Sequence, residues 1–342
     1  MEMIYEAHEH NGLLLNANES AYNADPIIVE ELVERIRNSA LNRYPDDSAK
    51  ELIDTYARAN HLDPAGVFVG NGSDAMLQLM IHTFCRGDKK LVMLDPDFGM
   101  YRFYSIGMQS DHADYKTAWD GSFDLEDFVR FAKENQAGLV LLSNPNNPTG
   151  HVISRDEMQQ LAAALDPIIL AADEAYMDFA DQSVLDLAQK LPNLIVTRTL
   201  SKAWGMAGIR AGFLITSPTL AAKMAPYKIV YSVSTLDQQA AIAALNHPEI
   251  AAKNIAEIQN EKKRIAERLE QMPWIEWAPI EANFYSIKTE DMEDLEKAFV
   301  DNGISIRDYP DHSRLRITIG TPQQNDQVLE ILEAWNPENW KD

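Results

Sequence analysis

The 342-residue chain has a single cysteine, Cys85, so no disulfide framework can staple it. That thiol lies in the apolar run LMIHTFC (79–85) and reads as a buried side chain, not a nucleophile. Basic residues are also few. Thirty Lys and Arg face 53 Asp and Glu, and the formal net charge of -23 disfavours nucleic acid and anionic membrane surfaces as partners. No uninterrupted apolar run reaches the ~18 residues needed to span a bilayer. The segment MEMIYEAHEHNG (1–12) has no basic stretch leading into an apolar one, so the expectation is a cytoplasmic protein. Its HEH triplet at 8–10 lacks ligand spacing, and no metal site is expected. Internal repeats and low-complexity linkers are missing as well. What remains is a core-forming composition, 46% hydrophobic and 24% charged, sufficient for one large core and a smaller one.

Six short runs are apolar on consecutive positions: VFVG (67–70), KLVMLDP (90–96), GLVLLSNP (138–145), IILAADEA (168–175), LIVTRTL (194–200) and AGFLIT (211–216). Strands covered on both faces have that texture. Helix-period segments lie between them, among them SDAMLQLMIHTF and SRDEMQQLAAAL, the latter opened by a capping box of Ser154 and Glu157. Such alternation predicts an α/β fold: a mostly parallel sheet between helices. From about Ser234 the pattern becomes long and helical, broken near His247-Pro248. ANFYSIK, MEDLEKAFVDNG, ISIRDY, RLRITIG and a last helix opened by Thr321-Pro322 then predict a small α+β unit. The expected division is a large domain over 30–240 and a small one made of 1–29 with 241–342.

Open parallel sheets bind ligands beyond the carboxyl ends of their strands, so the residues just after these runs matter most. They are Gly72, Ser73 and Asp74 at a helix start, Phe98, Asn147, Asp173 with Tyr176, and Thr199, Ser201 and Lys202. Lys202 sits among small and apolar neighbours in TLSKAWGM. A lysine partly removed from water favours its neutral amine, the form that attacks a carbonyl. An aldehyde cofactor held there as an electron sink needs a carboxylate at its ring nitrogen, a task that suits Asp173. Its phosphate needs backbone donors and a fixed cation. The amides of Ser73 and Asp74 in GNGSDAM supply the first, and Arg210 with the Thr199 and Ser201 hydroxyls supplies the second. Phe98 can lie flat against the ring, and Asn147 and Tyr176 can donate to a ring oxygen.

The motifs SNPNNPTG (143–150), ADEAY (172–176), RTLSKAWGMAGIRAGF (198–213) and RLRITIG (314–320) together resemble the fold type I pyridoxal-phosphate aminotransferases. LLLNANES (13–20), NRYPDDSAKEL (42–52) and DPDFGMY (95–101) are most similar to the histidinol-phosphate group among them. The resemblance runs through nearly the whole chain. It implies pyridoxal 5'-phosphate, a Lys202 aldimine, and a 1,3-proton shift by the Lys202 amine, with Asp173 and Tyr176 assisting. By the same resemblance Asn147 and Tyr176 meet the ring oxygen and Arg210 the phosphate. Tyr44 in NRYPD reaches the cofactor phosphate of a neighbouring subunit, which implies a homodimer with shared sites. Arg316 and Arg307, with Asn147 and Tyr44, are implied at the substrate: Arg316 on a carboxylate, Arg307 on a phosphate.

The resemblance therefore implies a transaminase of histidine biosynthesis that moves an amino group between histidinol phosphate and 2-oxoglutarate. An aromatic or other amino-acid aminotransferase, or a threonine-phosphate decarboxylase, is the alternative on the same scaffold. Phe98 stands where the histidinol-phosphate group often has tyrosine. Tyr5 and Tyr22 are the candidates for an aromatic contact to imidazole, and Arg314 reads as added surface charge. A nicotinamide-dependent oxidoreductase is disfavoured because VFVGNGSDAM supplies only part of the glycine fingerprint. A regulator with a fused DNA-binding segment is disfavoured by the acidity and by the lack of a helix-turn-helix pattern before residue 40.

Overall fold

The computed structural model describes residues 12–335. Its larger sheet has seven strands, in the spatial order Val67–Asn71, Ala211–Thr216, Leu194–Thr199, Ile169–Asp173, Ala137–Ser143, Lys90–Asp95, His112–Lys116. Ala211–Thr216 runs antiparallel to both its neighbours. The remaining adjacent pairs are parallel. Two apolar layers explain the uninterrupted runs in the sequence. Val92, Leu94, Val140, Leu142, Leu170 and Val196 pack into one, while Leu91, Met93, Leu139, Leu141 and Ile195 pack into the other. Each such side chain contributes about 1.5–3 kcal/mol by leaving water.

The six expected strands are all present, and a seventh, His112–Lys116, was not foreseen. It is one of the two edge strands, and unlike Val67–Asn71 at the other edge it has no fully buried residue, so HADYK carries no apolar run to read. The helix Arg155–Leu165 opens on the foreseen capping box. The long C-terminal helical stretch divides at His247-Pro248 into Thr235–Leu245 and Pro248–Leu269.

A four-stranded antiparallel sheet follows, in the order Arg307–Tyr309, Arg314–Thr318, Phe284–Lys288, Glu276–Trp277. Its core joins Phe284, Ile287 and Leu315 to Leu295 and Phe299 of the helix Met292–Asp301 and to Leu329 of the helix Pro322–Ala334. That last helix opens on Pro322 with a Thr321–Gln324 capping box. Near the other terminus, Leu13–Leu14 pairs in parallel with Ile304–Ser305. The Thr318 amide donates to Leu15 O at 2.9 Å. The amino-terminal segment is thereby laid against the small sheet and across the mouth of the large one. Among the described residues no helix is long and apolar enough to cross a membrane, and no cluster of metal-ligating side chains forms. The HEH triplet and Tyr5 lie outside the described residues.

Candidate active site

The carboxyl ends of the parallel strands open toward the small sheet, and the foreseen residues gather there. Asp173 ends the strand Ile169–Asp173, with Ser143 and Thr197 as its register partners on the flanking strands. Its buried carboxylate accepts hydrogen bonds from Thr197 Oγ1 and from the Tyr101 hydroxyl, both at 2.8 Å. Burial pushes this acid up to about 6 against the pull of those two donors. It is still mostly ionised at neutral pH, and a cationic ring nitrogen opposite it would favour the charged form further.

Lys202 lies just past the strand Leu194–Thr199, half-buried. Its amine donates to the Ala17 carbonyl at 2.9 Å and stands 5.6 Å from the Tyr176 ring centre. Burial, then the positive charge of Arg316, lowers the Lys202 ammonium to about 8, with Arg210 adding to the effect and Glu19 and Asp74 opposing it. Because the amine is the reactive form, capture of an aldehyde by the cofactor-free protein is expected to quicken from pH 6 to about 8.5 and then level off. An unperturbed lysine would keep accelerating to about pH 10. Stopped-flow absorbance across that range checks the midpoint.

Tyr176 is buried, and its hydroxyl accepts from Asn18 Nδ2 at 3.0 Å. Asn147 is buried too. Its backbone amide donates to Ser143 Oγ at 2.9 Å, and its Oδ1 accepts from Arg316 Nη1 at 2.6 Å. With Oδ1 engaged, Nδ2 is the donor that Asn147 has for a ring oxygen. The same Nη1 of Arg316 donates to the Tyr309 hydroxyl at 3.0 Å, and Nη2 donates to Asn16 O. Nε of Arg316 is buried with no hydrogen-bond partner among the described residues. A buried guanidinium with an unmet donor at the edge of the site is suited to an anionic ligand. Arg307 is the direct cross-strand neighbour of Arg316 and lies 5.9 Å from the Tyr309 ring centre.

The anion cradle forms where the helix Gly72–Phe84 begins. No side chain caps that helix, so its first amides, at Ser73 and Asp74, are directed at whatever occupies the crevice. Arg210 Nη2 pairs with Asp74 Oδ2 at 2.8 Å, holding a cation beside those amides. Two glycines allow this approach. Gly72 has φ +71, and a Cβ there would strike the Arg210 guanidinium; a Cβ at Gly212 would strike the Ser73 amide. Arg210 itself takes the left-handed conformation at φ +50, a strain of about 1 kcal/mol. Its carbonyl is held by the Gly72 amide at 2.5 Å. Thr199 Oγ1 donates to Ser201 Oγ at 2.9 Å on the third side. Phe98 packs edge-on to Tyr101, with centroids 5.6 Å apart.

One sequence expectation, the surface placement of Arg314, needs correction, and Tyr22 and Tyr44 have partners of their own in this chain. Arg314 is not surface charge. It is 1% exposed, its guanidinium stacks 4.5 Å from the Trp119 ring centre, and it donates to Trp119 O. The physical reason is parity: Arg314 and Arg316 are two apart on one strand, so they share the sheet face that meets the large domain. Tyr22 is tied by its hydroxyl to Glu257, and burial pushes it up to about 12. Tyr44 is not in this crevice. It is 82% exposed and stacks on Tyr231 at 4.9 Å.

Asn18, Tyr101 and Thr197 hold the site together and were not singled out from sequence. Asn18 and Tyr101 lie inside LLLNANES and DPDFGMY, but their partners are distant in the chain. Thr197 had a signal, because an acid ending one buried parallel strand needs a donor on the next.

This sheet, with a lysine, a buried acid and an anion cradle at its strand ends, defines an aminotransferase of the α/β kind. The chain belongs to the aminotransferase class I and II family, whose profile matches residues 10–332. It is 30% identical over 323 residues to the histidinol-phosphate aminotransferase of Thermoanaerobacter sp. (strain X514), covering 93% of this chain and 92% of that one. In fold it is similar to the histidinol-phosphate aminotransferase of Sinorhizobium meliloti solved in complex with pyridoxal-5'-phosphate, with a TM-score of 0.85, 24% identity and coverage of 95% and 92%. The L-threonine-O-3-phosphate decarboxylase of Porphyromonas gingivalis shares the fold at a TM-score of 0.81, with 21% identity and coverage of 94% and 98%.

Proposed function

We propose that this aminotransferase uses pyridoxal 5'-phosphate to move an amino group from histidinol phosphate to 2-oxoglutarate. The observation that carries the reading is one crevice holding a depressed lysine amine, a buried acid and the unmet Nε of Arg316. When bound, the cofactor supplies an electron sink for the carbanion at the substrate's α-carbon. The Lys202 amine would take the substrate's α-proton and serve as the base of the proton shift. Asp173 holds a proton on the ring nitrogen, so that the sink stays electron-poor. Asn147 and Tyr176 orient the ring through its oxygen, and Phe98 packs against its face. Gly72, Ser73 and Asp74 at the helix start, with Thr199, Ser201 and Arg210, hold its phosphate.

Arg316 and Arg307 select the substrate. A pair of guanidinium groups on adjacent strands suits one phosphate, or one carboxylate with a second anion nearby. Arg307→Ala is expected to lower kcat/KM for histidinol phosphate about 100-fold and for phenylalanine or tyrosine less than about fivefold. Equal losses would remove phosphate recognition from Arg307. A substrate panel with phosphothreonine included, read by amino transfer and by carbon dioxide release, tests the reading as a whole. Carbon dioxide from phosphothreonine without amino transfer would give the decarboxylase instead.

The division into a large domain over 30–240 and a small one of 1–29 with 241–342 is proposed with it. So is a cytoplasmic homodimer. Leu41, Tyr44, Ile229, Val230 and Tyr231 are large, exposed and apolar, an exposure that a partner subunit would cover. Tyr44 would then reach the phosphate of the partner's site. Mixing Lys202→Ala and Tyr44→Ala chains should restore activity through hybrid dimers with one intact site. A chain that sediments as a monomer would remove the shared-site reading.

A further inference from the structure

Asp97 is absorbed by none of the roles above, yet its carboxylate joins two of the segments that build the cofactor site. Oδ1 accepts from the Phe98 amide at 2.7 Å and from Ser143 Oγ, and Oδ2 accepts from the Ser143 amide at 3.3 Å. Ser143 Oγ in turn accepts from the Asn147 amide at 2.9 Å. Asn146 Nδ2 closes the same junction, donating to Pro96 O at 3.3 Å and to Ser143 Oγ at 3.4 Å. The segment carrying Phe98 is therefore stitched to the turn carrying Asn147, and one carboxylate is the shared acceptor.

We propose that Asp97 is a positioning residue for the cofactor ring, setting Phe98 directly and Asn147 through Ser143. The inference rests on the pyridoxal-phosphate reading of the crevice. A hydrogen-bonded relay of this kind fixes its end groups only when every member is satisfied. Losing the carboxylate strands three donors at once: the Phe98 amide, the Ser143 amide and the Ser143 hydroxyl. Burial, with Asp173 adding to it, pushes Asp97 up to about 8.

The test follows the cofactor's visible absorbance in the holoenzyme as a function of pH, together with its affinity for the cofactor-free protein. A donor from Asn147 to the ring oxygen helps keep the lysine-linked nitrogen deprotonated, so a displaced Asn147 raises the spectral midpoint. Asp97→Ala is expected to raise that midpoint by about one pH unit and weaken cofactor affinity about tenfold. Ser143→Ala leaves every charge in place. It should move the midpoint in the same direction with a smaller loss of affinity, and Asp97→Asn, which keeps one acceptor oxygen, should fall between Asp97→Ala and wild type. Removing a nearby negative charge would by itself lower the midpoint, so the sign separates positioning from plain electrostatics. A lowered or unchanged midpoint in both alanine variants overturns the proposal, even where the melting temperature falls. Absence of any visible band in the unmodified protein would instead overturn the cofactor reading, before any variant is compared.

Discussion

Lys202→Ala is expected to leave a folded protein whose amino transfer falls by more than about 10⁴-fold. Two losses combine. On the proposed reading the amine that would capture the cofactor aldehyde is gone, and so is the base that would move the α-proton, a role worth about 10²–10⁴-fold by itself. The side chain is half-buried and its amine donates to Ala17 O, so little of the core depends on it. Cofactor is expected to remain bound through the anion cradle. Added methylamine should return part of the rate, as an external base does in a cavity of the right size. Single-turnover absorbance with histidinol phosphate measures both effects.

The second large effect belongs to Asp173. Asp173→Ala removes the acceptor of the Tyr101 and Thr197 hydroxyls and with it the charge proposed to keep a ring nitrogen protonated. Turnover should drop about 10³-fold, in line with removing a preorganised electrostatic group. Asp173→Glu should recover only part of this, because the cavity bounded by Tyr101 and Thr197 fits the shorter acid. Asp173→Asn keeps the shape but not the charge, and should be nearly as poor as alanine. A kcat/KM within tenfold of wild type for the asparagine variant would deny the acid its role.

The fold was readable where burial leaves a mark in composition. Strands covered on both faces, such as Leu194–Thr199, print as unbroken apolar runs, and the edge strand His112–Lys116 prints nothing. Caps were legible because their chemistry is local: Ser154 with Glu157, and Thr321 before Pro322. The strand-end rule found Asp173, Asn147 and Lys202, since topology alone sends those positions to one crevice. It could not find Asn18 on Tyr176, nor Trp119 under Arg314. Those contacts join residues 158 and 195 positions apart, and no periodicity links such pairs. Arg314 shows the cost of reading charge as exposure: strand parity decides which face a side chain takes, and this face is covered.

Sodium borohydride reduction of the protein after incubation with pyridoxal 5'-phosphate, followed by peptide mass spectrometry, bears most directly on the central claim. The label should fall on the peptide containing Lys202, disappear on prior exposure to histidinol phosphate, and be lost in Lys202→Ala. A label spread over surface lysines such as Lys50 or Lys297, with the peptide of Lys202 left bare, would contradict it.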